Sequence, residues 1–600
     1  MNNLKSTWTK LRPFYAPFRG VFVSVFLFLV VGQLLTLASP YLWGKIIDGI
    51  VKERPLGQVL LLAGIVFLIA LVSNHITKKR ELFEIKNFDY SFMPHVAKHT
   101  LKRLFGFSLG QYLTRNSGMN LSIINKGEGA FNAMANTIIW ELAPTVLQLV
   151  LTTIAIFFLS PPIGMIIVVG VGAYILLMVR YTNTFFPKLK AYEEKINVRS
   201  KFHAEMIRYA PLIKTYAQEE RVMDHYMDKV KETSVHGRYI WAGFMEAWYS
   251  RNLIIFTVQF LALATAIYLV SRGYYTPGTV VTIIGWSNAV FAQIGTIGRV
   301  QRAILNNSPL IANHVDLIDT KPMITPRADG IVLPYLTGKI EFRNVSFAYP
   351  KQEMIGTDGE NKDANETERE VLSNVSFIIE PGETCAFVGH SGSGKTTIVN
   401  LLLRAFDPDH GSILIDGHDL RTLDIMTYRR MIGLVEQSVE LFDETLRYNI
   451  LFGVSEESQG DVDVLLEDVA RKARIDQFYD RLGAAKFDTI IGEKGVRLSG
   501  GERQRVGIAR ALIKDPHVLI FDEATSSLDS VNEAAIHEAM HDALKDRTGI
   551  IIAHRLSTVK DAAKIIVMKS GQVVGMGTHD KLKQSCEPYR ELVEHQVVTL

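Results

Sequence analysis

Hydrophobic and polar positions divide this chain into two stretches of different grain. Up to about residue 310 the apolar residues come in long runs, among them GVFVSVFLFLVVGQLLTLASPYLWG and GMIIVVGVGAYILLMV. Beyond that, short apolar segments alternate with turn residues, as in a soluble α/β protein. A run of about 20 apolar residues crosses a bilayer, so six spans are expected, at 20–46, 56–77, 133–159, 162–185, 246–271 and 277–306. Polar segments of helical spacing separate the second span from the third and the fourth from the fifth, and they extend the membrane helices into the cytoplasm. They carry Lys78, Lys79, Arg80, Lys188, Lys190 and Arg199, so the positive-inside rule puts them and both termini in the cytoplasm. The helical pattern breaks in Tyr112–Gly129 (YLTRNSGMNLSIINKGEG) and in Met206–Glu220 (MIRYAPLIKTYAQEE), two turning points that read as handles for a cytoplasmic partner.

Before the first span, Trp8, Leu11, Phe14, Tyr15 and Phe18 alternate with Lys10, Arg12 and Arg19. This leader is either an amphipathic elbow in the headgroup layer or a polar lead-in, and no small-residue cleavage site follows it. Gln33, Glu141, Gln148, Arg251, Asn252 and Gln259 fall inside the spans, where lipid cannot satisfy a polar group, so each is expected against a cavity or a neighbouring helix. For Glu141 an interhelical bond and a substrate contact are both open. A chain of 600 residues exceeds one core, a net charge of +3 gives no case for nucleic acid, and two cysteines, Cys385 and Cys586, are too few for a disulfide framework or metal cluster. The organisation expected is a membrane domain over 1–320, a linker over 321–338 and a second domain over 339–600.

The second domain carries the chemistry. The strand-like ETCAFVG runs into GHSGSGKTT, which comprises Gly389, His390, Ser391, Gly392, Ser393, Gly394, Lys395, Thr396 and Thr397, and an apolar helix follows. Strand, glycine-rich turn and helix are the context in which backbone amides wrap phosphates, with Lys395 reaching the β- and γ-phosphates and the Thr396 hydroxyl holding magnesium. A second apolar strand ends in Asp522 and Glu523, one suited to the magnesium shell and the other to orienting or deprotonating the attacking water. A third ends at His554, placed for a γ-phosphate contact. VRLSGGERQR puts Ser499, Gly500 and Gly501 at the start of a helix, a second anion-receptive turn with no lysine of its own.

With these motifs in this order, the chain resembles an ATP-binding cassette half-transporter of the type I exporter family over nearly its whole length. The resemblance implies six transmembrane helices with long cytoplasmic extensions, then an α/β P-loop NTPase domain of the ABC type. It implies that Tyr349 stacks on adenine, that Gln437 senses magnesium and the γ-phosphate, and that SSLD with Asp529 is the D-loop. It implies that Leu498, Ser499, Gly500, Gly501 and Glu502 form the signature that closes on ATP held by a second cassette. GEKG, Gly492 to Gly495, matches the segment that touches the membrane-domain projections, and SPYLWGKIIDGI matches the family's first-helix ending. Glu502 stands where many members have glutamine, and an acidic insertion, KQEMIGTDGENKDANETERE, follows Pro350. With Glu523 and the signature both present, a homodimer with two active sites is expected. The implied function is an ATP-driven exporter or flippase, using ATP and magnesium, in a bacterial inner membrane. A cassette-gated channel is the alternative. The cargo is open among an amphipathic drug or lipid, a glutathione- or metal-linked compound, and a peptide.

Overall fold

The structure is a computed structural model and describes residues 12–114, 117–327, 329–350, 370–454, 462–483, 485–492, 495–523, 530–553 and 559–597. The chain divides into two compact units, one containing the residues up to Lys102 together with Leu121–Asp319, the other Arg103–Asn120 with Thr320–Leu600.

The first unit is built on six long helices: α1 (Arg12–Val51), α2 (Leu56–Leu104), α3 (Leu121–Leu159), α4 (Pro161–Arg208), α5 (Glu219–Ser271) and α6 (Pro277–Ile318). Each carries an apolar window long enough to cross a membrane, and each contains one of the six expected spans. At 1.5 Å per residue the 53 residues of α5 reach about 80 Å, more than twice a hydrocarbon core of about 30 Å, so polar helix continues beyond the bilayer. Apolar side chains on α1 and α2, such as Phe26, Leu27, Leu60 and Phe67, face outward, as expected where lipid is the solvent. One core joins Phe14 and Phe18 to Phe88, Phe92 and Phe131; the other gathers Ile163, Ile167, Tyr174, Trp286 and Val290. The leader therefore packs inward at Phe14 and Phe18, leaving Arg12 and Arg19 exposed; Trp8, Lys10 and Leu11 lie outside the described residues.

Within the first expected turning point, Tyr112–Gly129, residues 115 and 116 lie outside the described residues; before them residues 105–108 interrupt the helix and a short helix Leu109–Thr114 follows, and after them Ser117–Asn136 is helical. Gly127 lies within that helix, and a Cβ there would come within 2.4 Å of the His314 side chain. It is a packing glycine. The second turning point is where the pattern put it: α4 ends at Arg208, and Ala210–Thr215 forms a short helix before α5.

Three of the six polar side chains expected within the spans, Glu141, Gln148 and Gln259, pair with side chains of α6, whereas Gln33 accepts from Thr36 of its own helix. Gln293 donates to Gln148 at 2.7 Å and accepts from Thr145 at 3.0 Å, and Gln259 donates to Asn288 at 3.3 Å. Glu141 lies 3.8 Å from Arg299, an interhelical partner. The Arg251 guanidinium sits 5.5 Å from the centre of the Tyr174 ring.

In the second unit, β1 (Ile340–Phe347), β2 (Leu372–Ile379), β4 (His410–Ile415) and β5 (His418–Asp419) form an antiparallel sheet in the order β2-β1-β4-β5. The larger sheet contains β3 (Thr384–Val388), β6 (Ile432–Val435), β7 (Val518–Asp522), β8 (Thr548–Ile552), β9 (Lys564–Lys569) and β10 (Gln572–Gly577), in the order β10-β9-β3-β8-β7-β6. It is parallel except at β9–β10. Parallel strands are covered on both faces, and accordingly Val518, Leu519, Ile520 and Phe521 are all buried.

The end of α1 and the start of α6 meet backbone to backbone. Asp48 accepts from the Thr276 hydroxyl at 2.7 Å and from the Gly278 amide at 2.8 Å, satisfying a free amide at the helix start. A Cβ on Gly278 would lie 2.0 Å from the Gly44 carbonyl oxygen. Gly278→Val should therefore destabilise the protein by about 1–3 kcal/mol, the usual cost of overpacking, read as a lower melting temperature in detergent. Gly32→Val, with open space around the Cβ position, should melt like the wild type.

Candidate functional site

Because β3, β8, β7 and β6 run in parallel, their carboxyl ends fall along one edge of the sheet, where ligands bind in such folds. The loop after β3 begins at Gly389 and leads into the helix Lys395–Leu402. Gly389 has φ +155°, and a side chain there would meet the Met568 carbonyl oxygen at 2.3 Å. Gly394 has φ +102°, a region closed to most side chains. Lys395 is buried, and its ammonium donates to the carbonyls of Gly389 at 2.8 Å and His390 at 3.1 Å. Burial pulls the lysine pKa below its ordinary value, partly offset by the nearby carboxylates of Glu523 and Asp522. The Ser393 hydroxyl is buried with no partner among the described residues. A desolvated ammonium, an unanswered buried hydroxyl and a glycine-shaped backbone suit a polyphosphate.

The groups expected around that loop are close to it. Gln437, just past β6, donates to Glu523 Oε2 at 2.7 Å. Glu523 follows β7 with φ +49°, held there by its amide bond to the Ile552 carbonyl at 3.0 Å. Thr396 is exposed and Asp522 half-buried, so both side chains are open to a cation. Among the described residues no group of three His, Cys, Asp or Glu is placed to hold a metal ion. Tyr349 meets Phe347 and Phe406 edge-on, while its hydroxyl bonds Thr397 at 3.1 Å and Asn400 at 3.2 Å. His554 and Asp529 lie outside the described residues, as do Glu493 and Lys494 of the GEKG segment and most of the acidic insertion.

The second anion-receptive turn is sharply ordered. Ser499 caps the helix Gly500–Leu512: its hydroxyl accepts from the Glu502 amide at 3.3 Å, and its amide donates to the Glu502 carboxylate at 2.7 Å. Leu498, Gly501 and Glu502 face inward, whereas Ser499 and Gly500 are exposed. The five signature residues therefore divide into an anchor and a presented surface. Arg481 donates to both Glu502 oxygens at 2.7 Å.

Motif reading missed the buried ties of this helix. Gln504 donates to the Glu436 carbonyl at 2.9 Å, and Arg510 to the carbonyls of Asn449 at 2.9 Å and Glu440 at 2.8 Å. These bonds join the signature helix to the segment following β6. A second omission is the attachment of the first turning point. The Gly110 amide donates to the Ala405 carbonyl at 3.1 Å, and Gln111 bonds Ser108 and the Lys321 carbonyl. Gly110 is required there, since a Cβ would lie 2.3 Å from the Ala405 oxygen.

Comparison with known proteins agrees with this geometry. The family described as "ABC transporter transmembrane region" matches residues 22–294, and "ABC transporter" matches 372–526. An ATM1-type heavy metal exporter from Novosphingobium aromaticivorans is 30% identical over 593 residues, covering 96% of this chain and 92% of that protein. An ATP-dependent lipid A-core flippase from Syntrophus aciditrophicus is 40% identical over 330 residues, 55% of this chain and 51% of the flippase. Among solved structures, a bacterial Atm1-family ABC exporter with ATP bound superposes with a TM-score of 0.83 at 27% identity, covering 97% of this chain and 99% of that one.

Burial tends to raise the Glu502 pKa, but the Ser499 amide and Arg481 outweigh it and hold the carboxyl below its ordinary value. A depressed carboxyl pKa contributes stability that is present above the unfolded value, about 4.3, and lost as pH falls through the folded one. Arg481→Met should therefore lower the melting temperature of the full chain at pH 7. The gap to wild type should narrow once the pH falls below the unfolded carboxyl value; a gap constant down to pH 3 would mean that Arg481 acts through packing alone.

Proposed function

The chain belongs to the ABC transporter family, and on that premise we propose that two identical copies move cargo by alternating access, driven by ATP held between them. The chain is an integral, multi-pass membrane protein and an ATP-hydrolysing exporter of the Atm1 and lipid A flippase type. The observation that carries the pairing is the division of the signature. Ser499 and Gly500 are presented outward at a helix N-terminus, far along the chain from the lysine loop, and the lysine loop has its own phosphate cradle. One copy would supply the cradle and the other the cap.

Within each cradle, the loop amides from Gly389 to Thr397 and the Lys395 ammonium bind the phosphates, and Tyr349 offers its ring to adenine. Glu523 accepts a proton from the attacking water, and Gln437, already bonded to Glu523, positions it. His554 contacts the γ-phosphate, and Asp529 aligns the D-loop. Thr396, Asp522 and Gln437 are the residues that would hold magnesium, whose chemistry there is to neutralise phosphate oxygens. Driving a two-state equilibrium from 1:99 to 99:1 takes roughly 5.5 kcal/mol, within reach of two sandwiched triphosphates.

Attachment of Gly110 to Ala405 supports transmission through the first turning point. The second tip carries exposed Tyr209, Leu212 and Tyr216, which supports docking on the other copy. Cassettes and both termini would lie on the cytoplasmic side, in a bacterial inner membrane. The polar seam along α6, set between aliphatic walls, favours an amphipathic cargo. ATP hydrolysis in lipid discs, measured with lipids, glutathione conjugates and peptides, sorts the cargo classes. Accumulation of the stimulating compound in inside-out vesicles separates an exporter from a gated channel.

Glu523→Gln should bind ATP normally, lose turnover by at least about a hundredfold, and accumulate as a closed pair; near-normal turnover would remove Glu523 as the base. A disulfide between Ser499→Cys of one copy and Ser391→Cys of the other should form only with nucleotide, the native Cys385 and Cys586 being buried. Its failure to form under any nucleotide condition would sink the sandwich. Gly110→Val should leave ATP binding intact while reducing cargo transport per ATP hydrolysed, measured in proteoliposomes.

A further inference from the structure

Between the start of α1 and α3 lies a cavity of about 600 Å³, lined by Arg12, Arg19, Phe22, Phe26, Ile138 and Ile139 among others. Its volume is that of a small-molecule site, and its composition is two-part: aliphatic and aromatic along its length, with two guanidiniums and no carboxylate on its lining. Neither Arg12 nor Arg19 makes an ion pair or side-chain hydrogen bond with a described residue. Arg19 adjoins Gly20, where the apolar run begins, so the charged part of the groove lies at the membrane border and the apolar part within it.

The walls are held in place. Phe14 and Phe18 on the opposite side of the leader are buried against Phe88, Phe92 and Phe131, and the Tyr15 hydroxyl donates to the Phe131 carbonyl at 3.2 Å. Facing them, the π-helical turn Thr137–Leu142 carries Ile138 and Ile139. Along the outer rim, Val23 and Leu27 are exposed, so the groove opens toward the acyl chains of the surrounding bilayer.

We infer that this groove holds one acidic phospholipid of the adjoining leaflet, its phosphate on Arg12 and Arg19 and an acyl chain along Phe22, Phe26 and Ile138. Arginine pairs with phosphate through two parallel hydrogen bonds, and a headgroup of net negative charge leaves no cation beside the guanidiniums. A lipid so held bridges α1 to α3 at the point where the leader enters the membrane. This inference needs only that the six helices are embedded in a bilayer, and it concerns neither the cargo nor the pairing of cassettes.

The test is native mass spectrometry of the full-length protein titrated with phosphatidylglycerol or phosphatidylcholine, alongside ATPase rates in discs of either lipid. The expected result is one tightly retained phosphatidylglycerol per chain. Arg12→Gln with Arg19→Gln should weaken it roughly thirtyfold, the combined worth of two basic side chains at an anionic surface. Val23→Trp, a change on the exposed rim that keeps both arginines, should also displace it. Lys78→Gln with Lys79→Gln, equal in charge and remote in sequence, should not. Equal retention of phosphatidylcholine, unchanged retention by the double arginine variant, or an equal loss from the lysine control would each overturn the inference. So would displacement of the lipid by a compound in proportion to that compound's stimulation of ATP hydrolysis, which would make the groove a cargo entrance. ATPase activity in phosphatidylcholine discs reports on the transporter separately: a wild type inactive there in every lipid would count against the exporter reading and leave the binding measurement standing.

Discussion

The in-register parallel pairing of β3, β8, β7 and β6 is the constraint on which the nucleotide half depends. Phe387 lies opposite Ile552, Phe521 opposite Ile551, and Val435 opposite Phe521, so the strands stop together. The loops that follow them are thereby delivered to one edge: the glycine loop, the Asp522–Glu523 pair and Gln437. A slip of one residue would displace a strand end by about 3.3 Å, enough to break a contact such as the 2.7 Å bond between Gln437 and Glu523. Each chemical group then needs only a short loop to reach its neighbours. This is why residues as distant as Gln437 and Glu523 sit at hydrogen-bonding distance.

The membrane half is governed by a different balance. Lipid offers its helices no hydrophobic incentive to associate, so close contact and polar pairing must hold them. Gly44 and Gly278 allow two backbones to touch, and Gly170 admits Val258 to within 2.4 Å of where its own Cβ would be. The Gln148–Gln293 and Glu141–Arg299 contacts tie α3 to α6 where water is scarce.

What the sequence made legible follows from the range of each signal. Spans, strands and the phosphate loop are encoded within about 20 residues, by an apolar run or a glycine pattern, and they lie where the pattern placed them. The role of Gly127 was not legible, because a helix-breaking glycine and a close-packing glycine look alike until His314, far along the chain, is seen against it. Glu502 read as a signature residue, yet the structure assigns its carboxylate to the Ser499 amide and Arg481. Gln504 and Arg510 were hidden for the same reason, since their partners are main-chain carbonyls that carry no side-chain signature. The bond from Gly110 to Ala405 joins segments on either side of most of the membrane helices, beyond any local pattern.

Those hidden ties bear on how a nucleotide can act as a switch. In the single chain three of the polar groups expected at the phosphate are already engaged, Lys395 with the carbonyls of its own loop, Gln437 with Glu523 and Ser499 with Glu502, whereas the buried Ser393 hydroxyl has no partner among the described residues. An anion reaching Lys395 would replace that residue's bonds to the Gly389 and His390 carbonyls, so the net gain there is the difference between two sets of partners and is smaller than a count of contacts would give. Gln437 and the signature helix share one segment, running from Glu436 to Asn449, through Gln504 and Arg510. Gln437 adjoins Glu436, whose carbonyl accepts from Gln504 of the signature helix. The two halves of the site are thus joined within one copy by hydrogen bonds.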